Sequence, residues 1–213
     1  MEATERMDHS TVVRTGFKRA AEYFVSTVAR VPPDAWERPG LGVWSVRALV
    51  GHTSRALLTV ESYLDSGAES IGIASAADYY LRAAGQTTGN PAIDERGRQA
   101  GIALGDDPAR AVRTIADRVS ARLDEVADTT LVGTPWGGMA LIDYLPTRIF
   151  ELTIHTMDLI AALELHDSEQ APEEALAVTF MLLGEMARGR HLETDLLLAA
   201  TGRRGLPAGY TVL

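Results

Sequence analysis

The sequence predicts an all-α fold, a four-helix bundle with a short helical C-terminal extension. Apolar residues recur at three- and four-residue steps through long segments. Pro, Gly, Ser and Asp cluster between those segments, where helices stop. Four long helices joined by connectors of unequal length suggest a bundle.

The first helix is predicted from Ser10 to Arg30, with Val13, Phe17, Ala21, Phe24 and Val28 on its buried stripe. Val31-Pro32-Pro33-Asp34 ends it. Ser45 can cap a second helix that runs through Leu49, His52, Ala56, Leu57 and Val60 to about Tyr63. Glu69 to Asp107 is less regular, with two short helices expected near Ala76–Ala84 and Asp94–Leu104. A connection of that length in a compact domain is more often functional than idle. Asp107-Pro108 opens the next helix, with Ala111, Ile115, Val119 and Leu123 as its stripe. Val132 to Gly138 reads as a turn-rich connector. A long helical segment follows from about Met139 to Leu163, kinked at Pro146 or starting there. Helices at Pro172–Arg188 and His191–Ala200 follow, then a loop tail with a short strand expected at Tyr210-Thr211-Val212. The expected organisation is a bundle over residues 1–165 and an extension over 166–213 packed on the same domain.

Composition bounds the function. A chain of 213 residues, 46% apolar and 23% charged, fits one globular domain whose core needs no staples. It has no cysteine, so it offers neither a disulfide nor a thiol nucleophile of its own. The net charge is −9 and no basic run exceeds Arg203-Arg204, which argues against nucleic acid as a partner. Met1 to Ser10 is polar and acidic, and no apolar run approaches the roughly 18 residues of a membrane span. A cytoplasmic location, with no membrane partner, is the default expectation, and a homodimer is compatible with the sequence. Of 20 basic residues only Lys18 is Lys, an Arg bias that suggests a GC-rich, actinobacterial type of source.

The segment carrying chemistry is LIDYLPTRIFELTIHTMDLIAAL, residues 141–163. At about 100° per residue, Arg148, Glu151, His155 and Asp158 fall within roughly 80° of one another. The flanking Ile149, Phe150, Leu152, Ile154, Leu159 and Ile160 leave little surface to be exposed, so this polar stripe is expected to face a cavity. Glu151 and His155, spaced i, i+4, can converge on one ion. A third ligand should come from another helix, and His52 is the best candidate, mid-helix with Leu49, Ala56, Thr59 and Tyr63 on its face. Two His and one carboxylate leave coordination positions open, as catalytic sites do. Blander readings exist: Arg148 as a salt-bridge partner of Glu151, Asp158 paired locally, His52 a core histidine, Tyr63 and Tyr144 core residues with a polar tip. His9, His166 and His191 look like surface or turn residues.

Residues 44–52, WSVRALVGH, resemble the start of the second helix in the DinB-like superfamily, especially its maleylpyruvate isomerase N-terminal-domain branch. Residues 148–159, RIFELTIHTMDL, resemble that branch's later motif, Arg-x-x-Glu-x-x-x-His-x-x-Asp-Leu. The tail, with Thr201-Gly202-Arg203-Arg204 and Leu206-Pro207, is similar to the end of actinobacterial members. The resemblance implies a DinB-like four-helix bundle with a zinc-type site at His52, Glu151 and His155. It also implies use of a low-molecular-weight thiol, mycothiol in actinobacteria. The isomerase of that branch carries a larger C-terminal domain, whereas about 50 residues follow the last motif here, so maleylpyruvate itself is not the expected substrate.

The leading expectation is thus a metal- and mycothiol-dependent transferase or isomerase acting on a small electrophilic substrate. Arg148 would hold a carboxylate of cofactor or substrate, or steady Glu151. Asp158 would orient a ligand imidazole. The region Glu69–Asp107 and the connector around Pro135-Trp136 could border the pocket. A metal-dependent hydrolase using bound water, and a non-catalytic metal-binding or stress protein, are the alternatives.

Overall fold

The computed structural model describes residues 2–84, 91–165 and 170–213, with side chains from residue 9 onward. Among these residues the chain forms α1 (Glu2–Val28), α2 (Val46–Ser66), α3 (Ala76–Ala83), α4 (Pro91–Ala103) and α5 (Pro108–Asp124). A hairpin of β1 (Leu131–Thr134) and β2 (Gly137–Ala140) follows, then α6 (Leu141–Ala162), α7 (Glu173–Gly189) and α8 (Glu193–Ala200). The protein is mostly helical with one small antiparallel sheet. No helix among the described residues is long and apolar enough to cross a membrane.

Local chemistry sets the helix boundaries. The Ser45 hydroxyl accepts from the Ala48 amide at 3.3 Å, and Gly67, at φ 57°, ends α2. Ser75 caps α3 through the Asp78 amide, and Asp107 caps α5 through the Arg110 amide, with Pro108 in the first turn. The Arg14 guanidinium holds the far end of α5, donating to the Leu123 and Val126 carbonyls and to Asp128 Oδ1 at 2.6–2.7 Å.

α1 and α2 each pack against both α5 and α6. Phe17 and Phe24 of α1, Leu49 and Leu57 of α2, Val119 of α5 and Ile149 and Leu152 of α6 are all buried between them. α7 lies against α1 and α6, and α8 against α7. α4 lies directly on α2. A Cβ on Gly51 would stand 2.1 Å from the Gly101 nitrogen, so glycine at both positions lets the two backbones touch.

Four expectations are corrected. The chain is mostly helical as expected, but the segment expected to be a connector is the β1–β2 hairpin, pairing Val132 with Met139 and Gly133 with Gly138. Its glycines allow close approach: a Cβ on Gly138 would meet the Ser70 carbonyl oxygen at 2.2 Å. The Gly138 carbonyl accepts from Gly72 and Ile73, which ties the hairpin to the chain entering α3. Tyr210 to Val212 forms no strand; Val212 is buried and the Tyr210 hydroxyl donates to the Leu192 carbonyl. α1 begins well before Ser10. Pro146 does not start α6, which runs continuously from Leu141 to Ala162 with the proline inside it. The proline ring supplies no amide to the Ile142 carbonyl, a break tolerated six residues into the helix.

Candidate metal centre

α2 and α6 pack face to face, and that contact carries the site. His52 projects from the middle of α2, and Glu151 and His155 from successive turns of α6. One ligand atom from each of the three lies within 4.8 Å of the others, the one such cluster among the described residues. The His52 and His155 rings are 4.9 Å apart and nearly perpendicular. His155 Nε2 lies 3.2 Å from Glu151 Oε2.

Neighbours outside the cluster fix each member. The Asp158 carboxylate sits 2.9 Å from His155 Nδ1, leaving Nε2 toward Glu151. The Tyr80 hydroxyl, from α3, donates to Glu151 Oε1 at 2.6 Å and also contacts the Thr147 carbonyl at 3.2 Å. The Trp44 ring lies 4.3 Å from the His52 ring, tilted by 31°. Trp44 is itself pinned by α4: its indole N–H donates to the Asp94 carbonyl at 3.0 Å, and a Cβ on Gly97 would stand 2.8 Å from its ring.

Burial and charge set the protonation states. Burial, and then the neighbouring His155 charge, lower His52 to about 4. Burial pulls His155 the same way, but hydrogen bonds to Asp158 and Glu151 outweigh it and hold His155 up at about 9. Burial would raise Glu151, yet the His155 contact, the Arg148 charge and the Tyr80 hydroxyl bring it down to about 2. Burial drives Tyr80 well above its ordinary value, so it remains a hydrogen-bond donor.

Arg148 and Asp158, the other sequence candidates, stand differently. Asp158 touches a cluster residue directly. Arg148, 8% exposed, does not pair with Glu151. It donates to the Thr147 and Thr59 hydroxyls, and its guanidinium lies 5.1 Å from the Tyr144 ring centre and 5.6 Å from that of Tyr79. Tyr144 is fully buried and donates to Thr59, and Tyr63 packs against it. His9 and His191 are exposed, and His166 lies outside the described residues. Sequence reasoning missed Tyr80 altogether and gave Trp44 no role.

Two cavities flank the cluster. One, of about 450 Å³, is apolar, with Leu41, Val43, Trp44 and Leu213 on its walls. The other, of about 420 Å³, is walled by arginines and aromatic rings. His52, Tyr80, Ile93 and Glu151 line both. The irregular region and the hairpin turn border the second cavity through Tyr79, Ala83, Arg96, Pro135 and Trp136.

The donor set fits a divalent cation of the zinc type, with one carboxylate and two imidazoles around a common point. His52 Nδ1 is buried with no hydrogen-bond partner, which suits a ring kept for a ligand the chain does not itself provide.

No curated protein and no solved structure matches the chain. The sequence profile of the mycothiol maleylpyruvate isomerase N-terminal domain matches residues 17–160, a span holding His52, Glu151, His155 and their neighbours Trp44, Tyr80 and Asp158. The chain therefore belongs to the mycothiol maleylpyruvate isomerase N-terminal domain family.

Proposed function

We propose that this protein is a metal- and thiol-dependent transferase or isomerase. It would join mycothiol to a small electrophilic substrate on a DinB-like four-helix bundle of α1, α2, α5 and α6. The observation that carries this reading is the convergence of His52, Glu151 and His155 on one point in a member of a mycothiol enzyme family. The absence of cysteine supports it, because a thiol nucleophile must then come from outside the chain. A divalent cation held by these three residues, zinc by donor type, would favour the thiolate form of a bound thiol at neutral pH.

The chain's own residues have separable tasks. Tyr80 holds one oxygen of Glu151 and leaves the other for the cluster. Asp158 accepts the Nδ1 proton of His155 and so keeps Nε2 turned inward. Trp44 sets the plane of the His52 ring. Arg148 lies on the wall of the arginine cavity beside Glu151, where it would grip a carboxylate.

The test is turnover of a reactive electrophile by the metal-loaded protein, with mycothiol and without any thiol. Turnover that needs the thiol supports the proposal. Equal turnover without thiol makes the protein a metal-dependent hydrolase. A filled site with no turnover by either route makes it a non-catalytic metal-binding or stress protein.

A further inference from the structure

The two cavities beside the cluster differ in kind. The one of about 450 Å³ has, among the described residues, no Lys or Arg on its wall. Leu41, Val43, Trp44, Ile93 and Leu213 line it, and its carboxylates are those of Asp94 and Glu151. Three of the apolar side chains are also open to solvent: Leu41 is 37% exposed, Val43 66% and Leu213 40%. A single exposed apolar residue needs no explanation. Three around one opening, brought together from the loop before α2 and from the tail, form a continuous apolar rim, which marks a binding surface.

The rim is fixed in place. Between Pro39 and Ser45 the chain doubles back, with the Gly40 amide donating to the Trp44 carbonyl at 2.8 Å and the Trp44 amide to the Leu41 carbonyl at 2.9 Å. Gly42 takes φ 57° within that turn, where a side chain would be strained. The turn holds Leu41 and Val43 at the opening. Buried Val212, and the Tyr210 hydroxyl on the Leu192 carbonyl, hold the tail so that Leu213 meets the same opening. Trp44 joins rim to centre, its indole pinned to the Asp94 carbonyl and its ring against His52. One cavity thus carries an apolar rim and all three cluster residues.

A charged group entering this cavity would lose hydration and find no Lys or Arg to offset the loss. Asp94 would repel an anion. His155, the cation of the metal-free cluster, is already paired with Glu151 and Asp158. An uncharged apolar body gains by leaving water. The volume suits a small molecule. We infer that this cavity binds the uncharged, apolar body of the electrophile, an alkyl chain or an aromatic ring, with Val43 and Leu213 as its specificity-determining residues. The inference rests on the proposed function and deepens it by naming the substrate class. Contacts at the rim, away from the reacting atoms, would hold the electrophilic carbon at the cluster.

Isothermal titration of the whole chelated protein with 1-butanol, 1-hexanol and 1-octanol tests it without turnover. Affinity should rise about fourfold per methylene, on the order of a hundredfold across the series. Octanoate, with the same eight carbons, should bind at least about tenfold more weakly than 1-octanol. Val43→Asp and Leu213→Asp should each weaken 1-octanol about tenfold. Both positions are exposed, so neither replacement leaves a buried hole. Ile102→Asp, 64% exposed on α4 and away from this wall, should leave the affinity unchanged. Affinity that ignores chain length, octanoate binding as tightly as 1-octanol, wild-type affinity in both rim variants, or equal weakening by Ile102→Asp would each overturn the inference. A rising series without thiol-dependent turnover would leave the cavity assignment standing and remove the proposed function. Thiol-dependent turnover with no alkanol site would remove this inference alone.

Discussion

The Tyr80 hydroxyl reaches Glu151 Oε1 at 2.6 Å from a position 71 residues earlier in the chain. One aromatic side chain on a short helix thereby fixes the carboxylate of the candidate metal centre. Tyr80→Phe keeps the ring, which packs edge-on against Tyr79 and Phe150, and removes only the donor. Metal affinity should fall about 10- to 100-fold with no change in helical circular dichroism. Competition with a chromophoric chelator measures it. Wild-type affinity in this variant would mean that Glu151 needs no support from α3.

Metal binding should depend on pH through one histidine. His155 keeps its proton up to about 9, so an entering cation must displace that proton throughout the neutral range. His52 is already neutral above about 4 and Glu151 already ionised above about 2. The apparent affinity should therefore rise about tenfold per pH unit between roughly 5 and 8, with one proton released per ion. Calorimetry in buffers of different ionisation enthalpy counts that proton, and a count of zero would refute the assignment.

The same two histidines shape the stability of the metal-free protein in opposite directions. His155 binds its proton more tightly folded than unfolded, so stability is lost as pH rises from 6.5 through about 9. His52 binds its proton less tightly folded, so stability is lost as pH falls from 6.5 toward about 4. Each effect is on the order of 3 kcal/mol. Urea midpoints of the chelated protein should peak near pH 6.5, and a monotonic profile would contradict the site electrostatics.

Chelation should leave the helices standing. The cluster hangs on α2 and α6, whose packing rests on fully buried Leu49, Leu57, Ile149 and Leu152, not on the ion. Helical circular dichroism at room temperature should survive removal of the metal, unlike that of a zinc finger. Its collapse would make the ion structural.

Glycine positions offer a paired test of packing. Gly51→Ala would drive a methyl into the Gly101 backbone at 2.1 Å, where neither helix can yield cheaply. A loss of about 1–3 kcal/mol, or more, is expected. Gly184→Ala, in α7 with nothing within 4 Å of the new methyl, should gain up to about 1 kcal/mol from helix propensity. Thermal melts that move both variants the same way would refute the α2–α4 contact.

Much of the fold was legible because helix chemistry is local. Ser45, Asp107 and Pro108 announce their helices, and the stripe from Val13 to Val28 announces α1. The i, i+4 spacing of Glu151 and His155 was equally plain, as was the clustering of Arg148 and Asp158 on the same helix face. The hairpin was hidden because its strands are four residues each and half of β2 is glycine, which looks like a turn. Tyr80 was hidden for a different reason. It stands beside Tyr79, and only the packing of α3 on α6 decides which hydroxyl meets Glu151. Arg148 beside Glu151 in helical register suggested a salt bridge, but Thr59 of α2 and two tyrosine rings captured its guanidinium.

Among the described residues, the wall shared by the two cavities is His52, Tyr80, Ile93 and Glu151. Were thiol and electrophile, under the proposed function, to take one cavity each, they would need no common door and neither would obstruct the other's path to the centre. Such a septum would make the order of arrival irrelevant. Initial rates measured against both concentrations should give intersecting double-reciprocal lines, and each reactant should be able to dissociate while the other stays.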